Sequence, residues 1–152
     1  MNQKNQGFTL VEILIVVIIL GILAAIVIPQ FTEASNDARE SALTSDLQTL
    51  RSQVELYKIQ HNDMAPGYKR TNGTVGSFVA ADFVTQLTTK TDVDGNSGSD
   101  YGPYLQAFPS NPFVTGGNSD AVTTTLNEAG YGWYFDTTNL KASPNDADHD
   151  DL

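Results

Sequence analysis

Residues 7–31 read GFTLVEILIVVIILGILAAIVIPQF, and the stretch decides the fold. From Phe8 to Ile28 it runs for 21 residues with a single charge, Glu12. At about 1.5 Å of rise per residue, a helix of that length spans about 31 Å, close to the hydrocarbon core of a bilayer. A secretory signal peptide carries a shorter apolar run, about 7–15 residues, closed by a small-x-small cleavage site. Here the run is longer and no Ala-x-Ala pattern closes it. Lys4 precedes the run, while Glu33, Asp37 and Glu40 follow it. The positive-inside tendency therefore predicts a cytoplasmic N-terminus with the rest of the chain outside.

Glu12 is the anomaly in this stretch. A carboxylate at the centre of a membrane helix costs about 2.5–3.5 kcal/mol on insertion scales, and such residues are usually paired and functional. Glu12 also lies within about one turn of the helix start, where it can snorkel to the interface and favour the positive end of the helix dipole. Position alone leaves both readings open. Gly21 and Pro29 interrupt the same helix. Proline removes a backbone hydrogen bond and clashes with the preceding turn, so a kink is expected where the helix leaves the membrane.

Beyond Pro29 the apolar residues become one-sided. Phe31, Ala34, Ala38, Leu43, Leu47, Leu50, Val54 and Tyr57 recur at helical spacing, which predicts an amphipathic helix with one buried stripe. No Pro or Gly intervenes between Phe31 and Ala65, so one helix is expected from about residue 8 to about residue 61, stopped by Asn62, Pro66 and Gly67. The region 68–98 reads mostly as loop, with a short second helix near residues 80–88 from the spacing of Val79, Phe83, Val84 and Leu87. Pro103, Pro109 and Pro112 prevent a long helix or a central strand over the next segment. AVTTTL at 121–126, YGWYFD at 131–136 and LKAS at 140–143 read as short strands joined by the hairpin loops NEAG and TTN. Trp133 is expected to anchor this sheet against the long helix.

The formal net charge is −10, and the seven basic residues beyond the membrane run are too scattered to form the basic face a phosphate backbone needs. No nucleic-acid partner is indicated. There is no cysteine, which removes disulfides, thiol chemistry and cysteine zinc sites. His61 and His149 have no partner at ligand spacing and read as exposed polar residues. The sequence holds no acid–base pair in a defined motif, no Ser/His/Asp arrangement and no phosphate-binding glycine loop, so it does not read as an enzyme. In KTDVDGNSGSD, Asp92, Asp94 and Asn96 alternate like the front half of a calcium loop, although the later ligand positions and the distal Glu are missing. Asp-Gly and Asn-Ser-Gly also make ordinary turns. The tail PNDADHDDL, with Asp146, Asp148, Asp150 and Asp151, reads as a solvated terminus or as part of a calcium site.

Gly7, Phe8, Thr9, Leu10, Val11, Glu12 and Pro29, set in this apolar helix, closely resemble the leader junction and N-terminal helix of the type IV pilin and type II secretion pseudopilin family. The YGPYLQAFPSNPF segment further resembles the region before the β-sheet in the major, G-type pseudopilins. The resemblance implies an α+β pilin-like fold: a long N-terminal helix, half membrane and half amphipathic, packed on a small C-terminal antiparallel sheet. It implies a leader at 1–7, a transmembrane and assembly helix at 8–29, and a periplasmic or extracellular domain at 30–152. It also implies that a membrane-embedded aspartyl prepilin peptidase cuts between Gly7 and Phe8 and methylates the Phe8 amine. Glu12 would then pair with the Phe8 amine of a neighbouring subunit, with Gly21 and Pro29 serving helix adjustment during assembly. The implied product is a homopolymeric filament with minor pseudopilins, built on an inner-membrane platform. The implied function is that of the major pseudopilin of type II secretion, or alternatively of a surface-filament subunit serving adhesion, motility or DNA uptake. G-type pseudopilins carry calcium in the C-terminal region, but their loop motif has no recognisable counterpart after Asp136.

Overall fold

The computed structural model describes residues 7–149 and 152. The chain divides into two compact units, Met1–Ala38 and Arg39–Leu152. One helix, α1, runs over Leu10–Gln60. Its first part, through Ala42, is exposed at every residue, including the whole apolar run and Phe31. Among the described residues, nothing buries these side chains. The helix is long and apolar enough here to cross a membrane. Pro29 lies inside α1 without ending it. It offers no N–H to the preceding turn, and Thr32 returns its hydroxyl to the Ile28 carbonyl at 3.3 Å.

The second unit is built on the other half of α1. Leu43, Leu47, Leu50, Val54 and Tyr57 form the buried stripe that the 3–4 spacing predicts. The helix stops at Gln60, with Asn62 and Asp63 in left-handed conformations (φ 53° and 62°). Two short strands follow, β1 at Arg70–Thr71 and β2 at Thr74–Val75, paired antiparallel. Asn72-Gly73 form their turn with φ of 51° and 79°, the positive angles that a two-residue hairpin of this kind requires. By composition the region 68–98 reads as loop; the Asn-Gly pair between Thr residues is the signal that marks the hairpin.

Helix α2 covers Ala80–Thr88, as expected, and buries Phe83, Gln86 and Leu87. A three-stranded sheet follows with order β3 (Asn118–Thr123), β4 (Tyr131–Asp136), β5 (Lys141–Pro144). β4 and β5 form the expected antiparallel pair, Phe135 opposite Ala142. The other pair departs from expectation. β3 runs parallel to β4, Asn118 opposite Tyr131 and Thr123 opposite Tyr134, with a bulge in between. The sheet is therefore mixed, and NEAG is not a hairpin loop. Within the connection, the Thr123 hydroxyl donates to Glu128 and accepts from the Thr125 N–H. That closes residues 124–130 into a return loop rather than a tight turn. Gly132 makes the close pairing possible, since a Cβ there would lie 1.8 Å from the Ser119 carbonyl oxygen.

The core collects the α1 stripe, Phe83 and Leu87 of α2, and Val122, Trp133, Phe135 and Ala142 of the sheet. Phe135 sits 4.8 Å from Phe83 and stacks on Phe78 at 5.3 Å, centroid to centroid. Trp133 is fully buried in this cluster, the structural role expected of it, and its indole N–H donates to the Pro109 carbonyl at 2.8 Å. Arg51 of α1 reaches the sheet through Nε, which donates to the Ala142 carbonyl at 2.9 Å.

Candidate processing and assembly site

The head of α1 answers the first question about Glu12. Thr9 caps the helix, and its hydroxyl accepts the Glu12 backbone N–H at 3.2 Å. In return the Glu12 carboxylate accepts the Thr9 backbone N–H at 2.9 Å and the Thr9 hydroxyl at 2.7 Å. This reciprocal arrangement is a capping box, which satisfies two N–H groups that the helix cannot bond internally. Its signature, Thr-x-x-Glu ahead of an apolar run, is present in the sequence, and the sequence reading missed it. Phe8, Glu12, Ile13 and Val16 line one surface hollow at this end. A charge at the head of a membrane helix is thus partly satisfied by its own turn.

Gly7, on the other side of Phe8, is exposed, and a Cβ there would meet nothing within 4 Å. The same holds for Gly21. Neither glycine is demanded by packing within the chain, which leaves their smallness available to an outside surface. Residues 1–6, including Lys4 and most of the expected leader, lie outside the described residues.

Residues 2–28 match the family described as the prokaryotic N-terminal methylation motif. The chain is 28% identical over 112 residues to the type II secretion system core protein G of Escherichia coli (strain K12), covering 74% of this chain and 69% of that protein. It is 34% identical over 79 residues to the core protein G of Dickeya chrysanthemi, covering 52% and 49% of the two chains. The core protein G of Pectobacterium carotovorum subsp. carotovorum is 29% identical over 114 residues, covering 75% and 65%. The chain thus carries the prokaryotic N-terminal methylation motif and is similar to type II secretion core proteins G. Alignment reaches about half to two thirds of the length of these relatives. No solved structure matches the chain.

In this pseudopilin-like chain the acidic loop is organised by its own donors. One Asp92 carboxylate oxygen accepts the backbone N–H groups of Asp94 at 3.0 Å and Asn96 at 2.9 Å. Asp94 faces the Arg70 guanidinium at 3.3 Å, and its carbonyl accepts the Arg70 N–H. Asn96 enters the arrangement through its backbone. These are the contacts of a tight Asp-initiated turn. A calcium ion at Asp92, Asp94 and Asn96 would have to compete with the Arg70 cation for Asp94.

The C-terminal segment is more ordered than a frayed tail. The Asp146 carboxylate accepts from the Asn111 amide at 2.8 Å and pairs with His149, whose ring leans on Phe113 at 4.3 Å. Asp148 is exposed, and Asp150 and Asp151 lie outside the described residues. Among the described residues, no group of three or more His, Cys, Asp or Glu side chains is gathered as a metal site would gather them. His61 also differs from expectation. It is fully buried, bonded at both ring nitrogens and stacked on Tyr57. Its place one residue past the end of α1 turns it inward along the same stripe as Tyr57.

Proposed function

We propose that this chain is the major pseudopilin of a type II protein secretion system. Prepilin peptidase cuts after Gly7 and methylates the Phe8 amine. The mature subunit then sits in the inner membrane through the start of α1, with its N-terminus on the cytoplasmic side and the Arg39–Leu152 unit in the periplasm. Polymerisation follows through the helices, Glu12 of one subunit meeting the Phe8 amine of the next, together with minor pseudopilins on an inner-membrane platform.

The observation that carries this reading is the Gly7–Phe8 junction set one turn ahead of a capped Glu12, at the head of an apolar helix that no described residue buries. The energetic sense is direct. Cleavage creates an ammonium group beside a carboxylate held in a low-dielectric phase, where an opposite charge is worth far more than in water. The Thr9 cap holds the carboxylate until a better partner arrives. The names of the relatives, each a type II secretion core protein G, support a secretion filament over a surface pilus.

Intact mass of the purified membrane form tests the processing step. The expected mature chain begins at Phe8 and carries one methyl group. Gly7→Trp is expected to leave the longer, uncut chain in the membrane, since only the smallest residue fits where a protease must lie against the backbone. A Gly7→Trp protein that still matures to a methylated Phe8 would contradict the reading.

A further inference from the structure

Two side chains tie the end of α1 to the loops that follow: Gln60, which accepts from the Tyr104 hydroxyl at 2.5 Å, and His61. The His61 ring is fully buried and lies parallel to Tyr57, with centroids 3.6 Å apart and 3° between planes. Nδ1 is 2.8 Å from the Tyr57 carbonyl oxygen, which only accepts, so that nitrogen carries the proton. Nε2 is then the bare nitrogen, and it accepts from the Thr91 hydroxyl at 2.9 Å. Thr91 is the hub of the loop it belongs to. Its N–H and C=O exchange bonds with Tyr101, and its carbonyl also takes the Asp100 N–H. A single imidazole therefore joins the C-terminus of α1 to the 91–101 loop, and it does so only in one protonation state.

We propose that His61 and Thr91 form an acid-sensitive latch between α1 and the 91–101 loop, which opens when His61 takes a second proton. Protonation places a donor on Nε2 opposite the Thr91 hydroxyl proton. Thr91 is itself buried, so turning that proton away leaves it facing packed atoms. The ring is fully buried, so the new charge forms away from solvent. The groups facing the ring are Tyr57 on α1, Tyr101 and Tyr104 on the loop, and Asp92 beside Thr91. Burial raises the Tyr57 phenol strongly and Tyr104 to about 12, so both stay neutral. Burial holds His61 below its ordinary value near 6.5, against the pull of the Tyr57 carbonyl and the Asp92 charge. A lowered folded-state value means the latch contributes fully above the unfolded value and is lost as pH falls below it. The latch stands independently of the filament reading.

Two measurements on the full chain in detergent test it. Imidazole C2–H exchange by mass spectrometry reads the His61 titration directly, and a midpoint below 6.5 is expected. Amide exchange, corrected for intrinsic rates, should show residues 91–101 losing up to roughly 20-fold in protection between about pH 7 and pH 5. The sheet peptides 131–144 serve as the internal reference. His61→Gln keeps a polar side chain without titrating in this range, and its 91–101 protection should be flat across the same pH interval. A wild-type midpoint at or above 6.5, or flat wild-type protection in 91–101, overturns the proposal even if the variant fails to fold. So does a folded His61→Gln chain that retains the wild-type pH dependence.

Discussion

Asn145 is 3% exposed, and its amide serves three backbone groups at once. Its oxygen accepts the Asn127 N–H at 2.7 Å, and its nitrogen donates to the carbonyls of Glu128 at 2.9 Å and Tyr131 at 3.3 Å. The return loop between β3 and β4 is thereby clamped from β5's end. Asn145→Ala strands these partners, and a loss of about 2–3 kcal/mol is expected in denaturant unfolding of residues 30–152. Asn145→Asp keeps the acceptor but sets a buried carboxylate against the Glu128 and Tyr131 carbonyls, so at neutral pH it should cost at least as much as Asn145→Ala. At the acid end, the Asn139 amide and the N–H groups of Asn139 and Thr138 hold the Asp136 carboxyl below its usual range. Its contribution is present above the unfolded value and fades as pH falls through the folded one. Asp136 is only partly buried, so the effect is small. The capping box was legible, because Thr-x-x-Glu is a local pattern. The inward roles of Asn145 and His61 were not, because a lone polar residue carries no local sign of the distant backbone it will bond.

Along α1 the two halves obey different rules. The buried stripe of the second half was legible from spacing alone, and it makes a sharp contrast within one turn and a half. Leu50 is fully buried while Leu56 is 40% exposed on the other side of the helix. Leu50→Ala should cost about 2–5 kcal/mol and Leu56→Ala about 1 or less, measured as the shift in the urea midpoint. Equal losses would mean that the stripe is misassigned. Strand positions were also legible to within a few residues, as was α2. The parallel pairing of β3 with β4 was not. Strand patterns state which residues alternate and not their direction, and the contacts that hold this connection, Thr123–Glu128 and the Asn145 clamp, form between segments. Gly132 was visible as a glycine, but only the approach of Ser119 gives it a reason.

At the scale of the whole molecule, one unit folds on its own core and the other presents apolar surface that no described residue covers. Such surface is stable only in a bilayer or against other subunits. The acidic loop in the folded unit is already held by Arg70 and its own backbone. Millimolar calcium is accordingly expected to leave the melting temperature of residues 30–152 unchanged; a rise would assign a metal to this unit. The proposed filament requires Glu12 to act between subunits and not merely as a helix cap. Electron microscopy of cells producing Glu12→Ala tests this most directly, with wild-type filaments as reference. The expected result is a chain cut and methylated at Phe8, present in the membrane at its normal level, and no filaments. Filaments of normal number and length from Glu12→Ala cells would contradict it.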